Sequence, residues 1–353
     1  MKKVLAMILA IAMMASVLAG CAAKNTETAP ETTAAETAAP VETAAPETEA
    51  ASEPAVLPKL MVMSGPTGVG AAKLMADNET AAEGEKVIAS AEVVADNEAV
   101  KNALINGDAD IAAIATNMAA TLNNKTDGGL QVLAINTLGV LYILEKGDSV
   151  QSMADLKGKT VYATGQGANP EYILNYLLTE NGVAPADVDI QWLTAQEIIA
   201  KMTTEEAAIC MLPVPAATTL MMKDADVRQA ISLSEEWDKL GKGALAQGCI
   251  VARTEFVQEN PEAVANFLKA YEESIQYMNN ETVREDAAAL VAQYEITANA
   301  QIAAKAIPQC NLVFITGQEM KDILVQFYDV LFQANAAAVG GAMPADAFYY
   351  GVE

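Results

Sequence analysis

Histidine is absent from this 353-residue chain, and arginine occurs only three times, as Arg228, Arg253 and Arg284. The first absence removes imidazole as a general base, as the partner of a nucleophilic serine or cysteine, and as a zinc ligand, so few enzyme mechanisms survive and no catalytic residue is assigned. The second, with a formal net charge of −25, excludes nucleic acid as a partner, because a phosphate backbone is held by clustered basic side chains. Cysteine is sparse as well. Cys21, Cys210, Cys249 and Cys310 have no metal-knuckle spacing, so no metal site is expected, and buried free thiols are the expected state of the last three. The 16 methionines do not make a copper site either. Several fall at the very start of the chain, and Met221 and Met222 read as core residues of an apolar helix. Aromatic residues are few, and Tyr142, Tyr162 and Tyr172 read as packing residues rather than stacking platforms.

What is present starts with Lys2 and Lys3, the apolar run VLAMILAIAMMASVLA over residues 4–19, and Leu18-Ala19-Gly20-Cys21. A basic start, a short apolar core and small residues before a cleavage point are the marks of an export signal. The run is shorter than the ~20 residues needed to cross a bilayer. Its end resembles the bacterial lipobox, which implies that Cys21 becomes the first mature residue and carries acyl chains into the outer leaflet of the cytoplasmic membrane. Residues 21–56 are dominated by Ala, Thr, Glu and Pro. Such a segment cannot bury a core, so it reads as an extended tether. The rest is long enough for two lobes.

From Lys59 onward short apolar runs alternate with amphipathic ones: LMVM (60–63), GAAKLMADNE (70–79), EAVKNALIN (98–106) and DIAAIA (110–115). This alternation predicts an α/β fold with strands buried on both faces. The pattern then repeats. ADIAAIATNMAATL from Ala109 is echoed by AAICMLPVPAATTL from Ala207, 98 residues on, and Ser64-Gly65 after one strand is echoed by Thr164-Gly165 after another, 100 residues on. Two similar lobes follow. LAINTLGVLYILEK (133–146) and ALAQGCIVARTEF (244–256) read as the outward and return crossings, giving one lobe of 57–143 plus 251–353 and a second of 144–250, with a two-strand hinge.

In open α/β sheets ligands bind beyond the carboxyl ends of the strands. The loops placed there supply the candidate ligand contacts. Ser64, Gly65, Pro66 and Thr67 follow the first strand with backbone N–H groups and two hydroxyls, but Ala71 and Ala72 stand where a phosphate-binding loop needs Lys and Ser or Thr. Thr116 and Asn117 follow DIAAIA, as ligand contacts or as helix caps. Gln166, Gly167 and Asn169 lie in GQGANP, where Pro170 replaces the third glycine of a dinucleotide loop. No cofactor is therefore expected, and Asn169 reads as the cap of a helix with Pro170 in its first turn. Pro213 shapes the fourth loop; Thr137 and Gln309 are wall residues.

LINGDADIAAI (104–114), SMADLKGKTVYATGQGANPEYILNYLL (152–178) and FVQENPEAVANFLKAY (256–271), in that order behind a lipobox, resemble the solute-binding lipoproteins of ABC importers. The likeness is to the nitrate, sulfonate, taurine and thiamine-pyrimidine branch. It implies a type II periplasmic-binding-protein fold, a small solute held between two lobes, a permease and its ATPase as partners, attachment to the membrane through the N-terminal lipid, and action as a monomer. Two other readings stay open at this stage. One is a lipid-anchored sensing or adhesion module; the other is an enzyme of the pyrimidine-synthase type, which relies on the histidine and cysteine cluster missing here.

Overall fold

A computed structural model describes residues 56–95 and 97–352. The expected signal, Cys21 and nearly all of the tether lie outside them. Among the described residues the strands are β1 (Lys59–Met63), β2 (Ser90–Val94), β3 (Ile111–Ala115), β4 (Leu130–Thr137), β5 (Leu141–Lys146), β6 (Thr160–Ala163), β7 (Asp189–Trp192), β8 (Ala208–Pro213), β9 (Val227–Ser232), β10 (Gly248–Arg253) and β11 (Leu312–Ile315). They form two sheets, one ordered β11-β4-β10-β3-β1-β2 and the other β7-β6-β8-β5-β9. Helices fill the connections, so the fold is α/β.

The two sheets have the same plan. β1 runs parallel to β2 and β3, and β6 runs parallel to β7 and β8. In each sheet the fourth strand is antiparallel and has arrived from the other sheet: β10 beside β3, and β5 beside β8. The echo of 98 to 100 residues therefore falls on equivalent strands, β1 with β6 and β3 with β8. β4 ends at Thr137 and β5 begins at Leu141, so the outward crossing is only residues 138–140. The return runs through the helix Leu233–Asp238 and residues 239–247 into β10. The crossings touch: the Gln247 N–H donates to the Thr137 carbonyl (3.0 Å) and Gln247 Oε1 accepts from the Val140 N–H (2.6 Å). Both sheets fall within one compact unit.

Period-two alternation explains why the strands read as continuous apolar runs. In the first sheet Met61, Ala112, Ile114, Cys249 and Val251 enter one core, while Leu60, Val62, Ile111, Ala113, Ile250 and Ala252 enter another on the opposite face. In the second sheet Leu144, Cys210 and Leu212 face a third cluster, whereas Ile143, Ile209 and Met211 join the first. That first core therefore passes beneath both sheets. The helix Gly317–Ala334 lies along it: Phe327 packs 5.6 Å from the Trp237 ring, and the Tyr328 hydroxyl donates to the Thr116 carbonyl at 2.8 Å. The three described cysteines are free and buried, and burial pushes their thiols up, Cys310 to about 12 and the other two further. Met222 departs from expectation. It is 39% exposed, because the helix Ala216–Lys223 turns that position to the surface while Leu220 takes the inward one.

The second sheet contains a buried acid. Glu145 is 2% exposed and accepts from the Ser149 N–H and hydroxyl, the Val150 N–H and the Arg228 guanidinium. Burial pushes its carboxyl up, but these donors outweigh that and hold it below the ordinary carboxylate range. A depressed folded value means that the stabilisation is fully present above the unfolded pKa and is lost as pH falls through the folded one. Glu145→Gln should therefore be less stable than the parent at pH 6, with the gap closing towards pH 3, as read from urea midpoints; a gap independent of pH would assign the loss to packing alone.

Candidate functional site

The carboxyl ends of β1, β3 and β6, together with the two crossings, meet at one buried polar seam. β3 delivers Thr116 and Asn117 as the first residues of the helix Thr116–Lys125, and β6 leads through residues 164–168 to the helix Asn169–Glu180. Asn169 and Thr116, 53 residues apart, are joined directly. The Asn169 Nδ2 donates to Thr116 Oγ1 at 2.9 Å and to the Gln247 carbonyl at 3.0 Å, and Thr116 Oγ1 donates in turn to the Ala246 carbonyl at 2.7 Å. A carbonyl can only accept, so the amide orientation is fixed and Asn169 Oδ1 is left over. Neither Asn169 nor Asn117 caps a helix. The caps are Ala168 and Ala115, neither with a side-chain bond. This corrects the expectation that Asn169 caps the helix ahead of Pro170: the helix starts one residue earlier, and the side chain is spent across the seam instead.

Beneath this junction lies a second layer. Asn136 Nδ2 donates to the Thr67 carbonyl and to the Tyr271 hydroxyl, both at 2.9 Å. Thr67 belongs to the short helix Pro66–Val69, entered through Gly65 at φ 100°, a backbone region left almost entirely to glycine. Gly248 opens β10 where these groups crowd together. A Cβ there would overlap the Thr67 methyl and come within 2.7 Å of Asn136 Oδ1 and 3.0 Å of Thr137 Cβ. Gly248→Ala should thus destabilise the protein by about 1–3 kcal/mol through overpacking. Thermal unfolding of the variant measures it; an unchanged midpoint would mean the seam yields freely.

Four acceptor atoms at this junction, Asn117 Oδ1, Asn136 Oδ1, Thr137 Oγ1 and Asn169 Oδ1, are buried and have no partner among the described residues. Buried polar groups are almost always paired, so unspent capacity gathered in one place is the mark of a site rather than of a core. Alongside it Asn117, Gln166 and Gly167 line a cavity of about 260 Å³ together with Lys125 and the ion pair of Lys101 with Glu98. No arginine lines it: Arg228 serves Glu145, Arg253 pairs with Glu255, and Arg284 donates to the Met278 carbonyl.

The structure thus brings Thr116, Asn117, Gln166, Gly167 and Asn169 together, and Thr67 and Thr137 beside them. Ser64, Gly65 and Pro66 lead into the Thr67 turn without a side-chain bond to the junction. Pro213 ends β8 opposite Leu141, next to the crossing, and the following Val214 N–H donates to the Val140 carbonyl. Gln309 sits on a short 3-10 turn, where its amide N–H donates to the Lys305 carbonyl and its carbonyl oxygen is buried and open. No bond ties Pro213 or Gln309 to Asn169. Tyr142 packs on two cores, and the Tyr162 hydroxyl donates to Glu205. Sequence reasoning missed Gln247, Asn136 and Tyr271. The signal available for the first two was an amide side chain inside an apolar crossing, ALAQGCIV and LAINTLG.

With this geometry in view, comparisons with known proteins become informative. A family model described as NMT1/THI5 like matches residues 91–283, more than half of the chain. A Brucella abortus (strain 2308) protein, provisionally named as a binding protein, is 25% identical over 148 residues, which span 42% of this chain and 44% of that one. An ABC transporter structure from Parabacteroides distasonis superposes with a TM-score of 0.69 at 22% identity, covering 83% of this chain and 98% of the other. The periplasmic aliphatic sulphonate binding protein SsuA of Escherichia coli gives 0.66 at 18% identity, covering 83% and 94%. The overall fold is thus shared with known proteins, and the chain belongs to the NMT1/THI5-like family with the fold of a periplasmic binding protein.

Proposed function

We propose that the protein is the extracytoplasmic solute-binding component of an ABC importer and is not an enzyme. The observation that carries this reading is the Asn169 to Thr116 junction, a direct bond between the loop-and-helix units of two sheets, ringed by open acceptors and bordering a small cavity. A ligand that touches both units favours the closed arrangement over an open one, which is how a two-lobed receptor signals occupancy. In this reading the lobes are 57–143 plus 251–353 and 144–250, a division supported by the two sheets, which part at residues 138–140 and in the return before β10. Inert, buried thiols and the lack of histidine suit binding rather than chemistry.

The solute in this reading is a small molecule, either an anion such as a sulfonate or nitrate, drawn by Lys125 at the mouth while Lys101 is paired with Glu98, or a pyrimidine-type vitamin precursor donating to the open acceptors. The permease and its ATPase are the partners, and the lipid on Cys21 holds the protein at the outer face of the membrane as a monomer. Among the described residues no helix is long and apolar enough to cross a membrane. The test is a thermal-shift screen of the protein against sulfonates, nitrate and pyrimidines. A true ligand at a hundredfold excess over Kd stabilises by about 2.7 kcal/mol. A midpoint that no member moves would overturn the proposed solute classes.

A further inference from the structure

A second concavity, of about 490 Å³, shares no lining residue with the seam cavity and lies between the helix Asn169–Glu180 and the C-terminal end of the helix Gly317–Ala334. Tyr172 and Tyr176 wall it, both half-buried, and Tyr176 continues inward onto the Trp237 ring at 5.4 Å. Glu171 and Glu180 stand on it, while Gln333 and Asn335 bring the carbonyl end of the long helix to the opposite side. Neither lysine nor arginine lines it. The formal charges are therefore all negative, and the helix terminus adds partial negative charge of its own. Asn175, on the same wall, has a buried carbonyl oxygen without a partner. The two carboxylates differ in availability. Glu171 already accepts from the Gly167 N–H at 2.6 Å, whereas Glu180 is exposed and makes no ion pair among the described residues.

We infer that this groove is a second ligand site, for a small organic ammonium ion whose charge lies at Glu180 and whose apolar body lies against Tyr172 and Tyr176. Aromatic faces attract cations through the ring quadrupole, and a carboxylate beside them adds direct attraction. An anion meets two carboxylates and a helix C-terminus here, and a neutral ligand gains nothing from them. Two aromatic walls joined to an acidic rim therefore select a cation with an apolar body over either.

The experiment uses the full chain with Trp192→Phe, which leaves Trp237 as the only indole. Its fluorescence is followed while phenethylammonium, 2-phenylethanol or phenylacetate is added. Phenethylammonium should give a saturable change at least about fivefold tighter than 2-phenylethanol at low salt, narrowing as salt screens the carboxylate, and phenylacetate should give none. Glu180→Gln should weaken the ammonium about fivefold without affecting the alcohol. Asn169→Leu, at the seam, should leave the ammonium affinity unchanged. Equal binding of ammonium and alcohol, no saturable change, indifference to Glu180→Gln, or loss of binding in Asn169→Leu would each overturn the assignment, the last by moving the probe into the seam.

Discussion

Replacing Asn169 with leucine should weaken solute binding about fiftyfold, or ~2.3 kcal/mol, on the function proposed above. Leucine keeps the branching and heavy-atom count of asparagine, while three polar contributions are lost. The Thr116 hydroxyl loses a donor at 2.9 Å and the Gln247 carbonyl one at 3.0 Å, and the open Oδ1 is no longer available to a solute. The unliganded protein should be affected less, by about 1 kcal/mol, because the Gln247 carbonyl still accepts from the Thr116 N–H at 3.2 Å. Titration calorimetry with a solute found in the thermal screen, set beside the unliganded melting midpoint, separates the two effects. Unchanged affinity would move the solute site off the seam, and a fall in stability alone would make Asn169 structural only.

Trp237→Ala should be the most damaging single truncation, at about 3–5 kcal/mol. The indole is fully buried, donates from Nε1 to the Gly243 carbonyl at 3.0 Å, and lies between Tyr176 at 5.4 Å and Phe327 at 5.6 Å. Those two rings belong to different helices, Asn169–Glu180 and Gly317–Ala334, so the cavity would open where they meet and neither could fill it without a shift of its helix. Chemical unfolding reads the loss. Trp237→Phe should recover more than half of it, and a cost below 1 kcal/mol for alanine would show that the cluster closes on itself after truncation.

Much of the framework is legible in the residues. DIAAIA and AAICML announce buried strands because both sheet faces are covered, and the two apolar crossings stand out by length. Thr116, Asn117, Gln166 and Asn169 could be nominated because strand ends in an α/β fold open towards ligands. What could not be read was the use made of each side chain. Asn169 before Pro170 has the local grammar of a helix cap, and only its neighbour from 53 residues earlier shows that it serves another purpose. Gln247 and Asn136 have no motif at all, and Met222 carries an apolar side chain on an exposed face.

Composition and pattern alone determined that the chain holds no imidazole chemistry and folds as two echoing α/β units, because those properties follow from which side chains exist and how they recur along the backbone. The tertiary structure decided which polar atoms meet at the seam and which remain open. Hydrogen bonds act over about 3 Å, and that distance between residues 53 or 135 positions apart is set by strand register and helix packing, which no local stretch of sequence contains.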